Sequence, residues 1–191
     1  MNFPVFQELT TQLLVLRKIR KGDTLDFFRF AGSDAVTKYM LWKTHQSIQE
    51  SEASIEKTLA RYSTGRYYRW GIACRDCGTL IGIIDLLGFD EQQNICSFAY
   101  MLAESFWGRG FGTEALTAVL DFAFTQMGVD AVEADHFAEN VASGAVMRKA
   151  GMTYIRTQPL KYEKNGIRHD APLYRIDRHT YLHNAQKNLR F

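Results

Sequence analysis

The sequence predicts a mixed α/β fold in one domain, and three observations predict it. Strand-like runs in the middle of the chain are joined by turns too short for a crossover, which makes an antiparallel meander. A helical pattern, with Leu116, Val119, Ala123 and Met127 at helix spacing, begins where that meander stops. Further on, a strand, a helix and a hairpin across Lys164-Asn165-Gly166 complete the pattern. A chain of 191 residues suits a single domain. A domain of this size buries roughly 70% of the surface its unfolded chain exposes, so stability needs no metal or disulfide.

Element by element, Leu13 to Ile19 reads as the first strand and ends at the turn Lys21-Gly22-Asp23. Asp23 is placed to cap a helix through Leu25, Phe27 and Phe28, and Ser33-Asp34 opens a short helical piece toward Met40. Ser47 with Glu50 three residues on forms a capping box for a helix to about Tyr62. Tyr68 to Cys74, Thr79 to Asp90 and Ile95 to Leu102 are three consecutive strands. Gly110 to Gln126 is helical, with Gly128 placed to end it. Val129 to Phe137 is a strand, Asn140 to Ala150 a helix closed by Gly151, and Tyr154 to Tyr162 pairs with Arg168 to Ile176. No repeat, linker or low-complexity tract interrupts the chain.

Composition narrows the function. Hydrophobic residues are 46% and charged residues 23%, the balance of an ordinary globular domain. The net charge is +2 and no basic block stands out, which argues against direct nucleic-acid binding. The longest apolar stretch, Leu80 to Phe89, is interrupted by Asp85 and too short to span a bilayer. With neither a basic n-region nor a long apolar core at the start, no signal peptide is expected and the protein reads as cytoplasmic. Cys74 and Cys77 spell C-x-x-C, but only Cys96 and five scattered histidines remain to complete a zinc site. The pair reads as a hairpin turn holding two reduced thiols, and no metal is expected.

The most informative segment is Phe106-Trp107-Gly108-Arg109-Gly110-Phe111-Gly112-Thr113-Glu114. Three alternate glycines join a strand to a helix, leaving no Cβ between backbone N–H groups and a ligand. The helix start adds unpaired donors and the positive end of its dipole, which together suit a phosphate or pyrophosphate. A Walker A loop needs Gly-Lys before Ser or Thr, and Gly112 precedes Thr113-Glu114. A Rossmann loop would follow the first strand of a parallel sheet, and antiparallel strands precede this one.

The loop and the order of elements resemble the GNAT N-acetyltransferases, whose signature is [Q/R]-x-x-G-x-[G/A]. Trp107 takes the first slot and Gly110 and Gly112 the glycine slots. The aromatic-Trp-Gly-x-Gly form is similar to the branch of ribosomal-protein N-terminal acetyltransferases. Asn140-Val141-Ala142-Ser143 with Lys149-Ala150-Gly151-Met152, and Asn165-Gly166 through Asp170 to Tyr174, resemble that branch's two later segments. The likeness covers residues 9 to 182.

This resemblance implies one domain over 1–191, a mostly antiparallel mixed sheet of seven strands flanked by helices, and a splay between the fourth strand (Ile95–Leu102) and the fifth (Val129–Phe137). It implies acetyl-CoA as cosubstrate and a primary amine as acceptor. Backbone groups of Met101, Leu102 and Ala103 would pair with the pantetheine arm, and amides of Arg109, Gly110, Phe111, Gly112 and Thr113 would hold the pyrophosphate. Asn140 would bond the pantetheine or cap its own helix. The N–H of Met101 or Leu102 is the oxyanion donor, and Ser143 matches a serine that protonates the leaving thiolate. The family's usual tyrosine acid falls on Met147, and its usual carboxylate slots fall on Ser97 and Tyr162. Glu104, Glu133, Asp135, His136 and Asp170 are candidate bases, with His136 placed to pack in the core. The acceptor is a peptide N-terminus, an antibiotic-like amine or a polyamine. The alternative function is an acyl-CoA-binding or sensing module without catalysis. Pairing of two copies through the C-terminal hairpin is also implied.

Overall fold

The computed structural model describes residues 1–188; the last three residues of the expected domain lie outside the described residues. One eight-stranded sheet runs β1 (Leu9–Thr10), β2 (Leu14–Arg17), β3 (Tyr68–Cys74), β4 (Leu80–Asp90), β5 (Ile95–Leu102), β6 (Ala131–Asp135), β8 (Ile167–Asp177), β7 (Thr153–Lys164) in spatial order. The strand beyond the seven expected is β1, whose two-residue ladder with β2 is too short to show alternation in sequence. All neighbouring pairs are antiparallel except β5 with β6.

That parallel pair positions the site. Its register runs Ile95↔Ala131, Cys96↔Val132, Ser97↔Glu133 and then stops, although β5 continues to Leu102. The strands part there, where the sequence placed the splay.

Helices cover both faces. On one side α4 (Phe111–Phe122) and α5 (Val141–Lys149) pack over Phe98, Leu102, Val132 and Ala134. On the other, α1 (Thr24–Ala31), α2 (Asp34–Thr37) and α3 (Ile48–Arg61) cover Leu80, Ile83 and Met101. Ser47 caps α3, accepting from Glu50 N at 3.4 Å, while the Glu50 carboxylate accepts from Gln46 N rather than from the cap itself. After Phe122 the α4 ladder widens into a π turn over Ala123–Met127, which Gly128 ends at φ 70°. A sixth helix, α6 (Arg178–Asn188), follows β8. Its polar composition gave no periodic apolar signal.

Two buried Arg–Asp pairs stiffen the side with α1 to α3. Arg17 donates two bonds of 2.8 Å to the Asp23 carboxylate, and Arg69 holds Asp85 through bonds of 2.7 and 2.6 Å. Burial pushes the Asp23 carboxyl up, but Arg17 and the Arg20 amide together hold it below its ordinary value.

Candidate functional site

A cleft of about 1170 Å³ opens at the splay and runs from the glycine loop to the hairpin of β7 and β8. Its first wall is backbone. Gly108 and Gly110 sit at φ 71° and 87°, a region costly for residues with a Cβ, and a Cβ on either would meet nothing within 4 Å. Among the described residues the amides of Gly108, Arg109 and Gly110 find no acceptor, and Phe111, Gly112 and Thr113 open α4 with no carbonyl a turn earlier. Six consecutive N–H groups at a helix N-terminus make an anion site. The Trp107 indole donates to the Leu102 carbonyl at 2.8 Å and pins the loop to the end of β5. The Arg109 guanidinium lies 5.4 and 5.1 Å from the rings of Phe106 and Phe111.

The end of β5 forms the second wall. Ala103 N–H donates to Ile81 O at 2.8 Å, and its carbonyl accepts from Phe106 N at 2.9 Å. Antiparallel alternation therefore turns the Met101 amide toward β4 and the Leu102 amide toward the gap. Gly82 makes this possible: a Cβ there would collide with the Met101 carbonyl oxygen.

The third wall is α5. Asn140 accepts from Ser143 N at 3.3 Å, the capping role weighed from sequence, and its side-chain nitrogen donates to no protein group among the described residues. Ser143 is buried, with its hydroxyl beside the Tyr100 phenol. Burial raises the Tyr100 pKa above its ordinary value and Ser143 offsets part of that rise, so Tyr100 stays protonated at neutral pH. The Tyr100 ring also lies against the position of Gly112. Tyr100 was not found from sequence; only its place on the gap-facing β5, 43 residues before Ser143, would have signalled it. Met147 is 2% exposed and packs in the core beneath α5. His136 is buried as expected, stacks on Tyr174 and shares a 2.7 Å bond from Nδ1 with Phe137 O. Among the described residues its Nε2 has no partner; it faces Gly144, where a Cβ would come within 2.8 Å of it.

The fourth wall lies on the opposite face of the sheet and is made of side chains. Asp85 carries Arg69, and Glu133 accepts from Arg175 at 2.8 Å. Asp135 accepts from Gln158 at 2.9 Å and from Lys161 and Tyr162. Burial, and then Asp135, push the Tyr162 phenol far above its ordinary pKa. Tyr39, Met40 and Trp42 roof this end, and Lys164 clasps the roof through the Thr37 and Met40 carbonyls at 2.8 and 2.5 Å. Of the candidate bases, Glu133, Asp135 and His136 line the cleft; Glu104 and Asp170 do not. Cys74 and Cys77 lie at the β3–β4 turn, away from it.

A family model for the acetyltransferase (GNAT) domain matches residues 14–153. The N-acetyltransferase YoaA of Bacillus subtilis (strain 168) is 28% identical over 172 residues, which is 90% of this chain and 97% of that protein. Among solved structures, a GNAT-family acetyltransferase from Bacillus anthracis superposes with a TM-score of 0.82 at 17% identity, over 91% of this chain and 99% of the other. RimL, a ribosomal L7/L12 α-N-protein acetyltransferase in complex with coenzyme A, superposes at 0.79 with 18% identity, over 90% and 98%. The chain belongs to the GNAT acetyltransferase family. It is an acetyl-CoA-dependent N-acetyltransferase, moving an acetyl group to an amine.

Proposed function

We propose that this enzyme acetylates a primary amine carried next to an apolar group, by direct attack on the thioester, with the cofactor and the amine entering from opposite faces of the sheet. One observation carries the reading: six acceptor-free amides, from Gly108 to Thr113, stand at the mouth of a splayed strand pair. Acetyl-CoA would supply a thioester already activated for acyl transfer. Amides of Arg109, Gly110, Phe111, Gly112 and Thr113 hold its pyrophosphate. The end of β5 at Met101, Leu102 and Ala103 takes the pantetheine arm, with Leu102 offering the free N–H and Asn140 its free side-chain nitrogen. The same Leu102 N–H meets charge developing on the carbonyl oxygen. Ser143, backed by the Tyr100 phenol, protonates the departing sulfur in place of the acid missing at Met147.

The acceptor end favours an amine of low charge. Asp85, Glu133 and Asp135 are each paired with Arg or Lys, so these three acids are already compensated against a polycation. Tyr39, Met40 and Trp42 suit an apolar neighbour to the amine. A peptide α-amine meets both conditions, and the likeness of fold to an α-N-protein acetyltransferase makes peptides the first acceptors to try. The test is release of CoA thiol from acetyl-CoA across N-terminal peptides, aromatic amines and spermidine. Product with peptides or aromatic amines supports the proposal, and preference for spermidine overturns its acceptor half. Cofactor binding with no product would leave a non-catalytic binding module.

A further inference from the structure

We infer that Asp135 is the subsite for the acceptor's ammonium group and that Lys161 is a built-in placeholder which the substrate displaces; this rests on the acetyl-transfer reading above. The strand β7 is distorted to make the arrangement. Between Gln158 and Tyr162 its ladder advances four residues while β8 advances only from Ala171 to His169. Within this bulge Leu160 sits at φ 51°, an uncommon conformation for a bulky residue, and Asp170 holds it by accepting from its N–H at 2.8 Å. Strain of this kind persists only where surrounding structure enforces it, and it concentrates at functional positions. Here its result is that Gln158, Lys161 and Tyr162 all donate to one carboxylate.

That carboxylate stands where an amine must arrive. Asp135 lies two residues beyond Glu133, the last β6 residue paired with β5, and on the same face of the sheet. The next residue, His136, turns to the other face, toward Gly144 and the Ser143 helix. Asp135 and Ser143 thus flank the gap from opposite sides, as an incoming amine and a leaving thiolate require.

The nature of its cation distinguishes Asp135 from its neighbours. Asp85 and Glu133 are held by arginines, Asp85 through two parallel bonds. Such pairs are rigid, whereas a lysine is a point charge on a flexible stem. The Asp135 side chain is 9% exposed and that of Lys161 is 38% exposed, so the ammonium caps a buried acid from the open side. An incoming R–NH₃⁺ offers the same group to the same oxygen. Once it replaces Lys161, it passes one proton to the Asp135 carboxylate. The freed lone pair forms the N–C bond, and the C–S bond breaks with its electron pair going to sulfur, which takes the Ser143 hydroxyl proton; the nitrogen's second proton passes to water, and water restores the proton of Ser143. Asp135 returns its proton to solvent and Lys161 closes again.

Ethylamine is a suitable probe because it carries only the group in question. With acetyl-CoA saturating, Lys161→Met should lower the KM for ethylamine about fivefold, the scale of one exposed ion pair, and leave the KM for acetyl-CoA unchanged. Lys161→Gln should act alike. Asp135→Asn should cut kcat/KM for ethylamine about 100-fold, with partial recovery in Asp135→Glu and an unchanged thermal shift by acetyl-CoA. An ethylamine KM that rises or stays constant in both Lys161 variants, while each melts like wild type, would overturn the placeholder. A wild-type protein that acetyl-CoA does not stabilise would instead overturn the reading on which it rests.

Discussion

The two ends of the cleft are built on different principles. The end proposed for the cofactor is backbone: a contiguous loop, two glycines at positive φ and the first turn of α4 present their amides outward. The end proposed for the acceptor is side chain: Asp85, Glu133, Asp135, Tyr162 and Trp42 converge from β4, β6, β7 and the segment after α2. Backbone amides bind a phosphate whatever the neighbouring side chains are, so one end can stay constant while the other changes its substrate. A substitution at the cofactor end therefore acts through chain geometry, and one at the acceptor end through charge.

The largest effect should come where the two ends share a wall. Gly82→Ala drives a methyl into the Met101 carbonyl and separates β4 from β5, and about 3 kcal/mol of stability should go with it, measured by urea unfolding. Next in size, Gly110→Ala keeps the fold but strains φ 87° and puts a methyl into the open space that the loop amides face; calorimetry should show acetyl-CoA binding weakened at least tenfold with the ethylamine KM unaltered. Tyr100→Phe and Ser143→Ala should each lower kcat about tenfold, and the double variant little more than either, because one proton passes through both. Since burial raises the Tyr100 pKa above 10.0, its donor should persist, and kcat should not fall on the alkaline side below that pH. Smallest of all, Gly112→Ala meets its neighbours at 3.4 Å or more without positive φ, and its melting temperature should stay within about 2 °C of wild type.

The same contrast explains what was legible in the sequence. The strands were readable because short turns and alternating apolar residues are local, and the glycine loop because its parts adjoin. The two-residue β1, the π turn before Gly128 and the polar α6 carried no periodic signal. At the site, Ser143 and Asn140 were singled out through the residues that adjoin them in the chain. The Tyr100–Ser143 pair and the contacts of Asp135 with Gln158, Lys161 and Tyr162 join residues far apart in the chain. The bulge at Leu160 that creates the last of these has no sequence mark beyond Pro159 before it.

The most direct test of this division is thermal unfolding with acetyl-CoA, CoA, ATP and NADH, each near one hundred times an expected Kd. Saturation at that level stabilises by about 2.7 kcal/mol. For a chain of this length the melting temperature should rise by roughly 5–10 °C with acetyl-CoA and with CoA. Gly110→Ala should lose about half of that rise or more, and Asp135→Asn should keep it. No rise with either thioester or thiol, or a larger one with NADH, would contradict the assignment of the glycine loop.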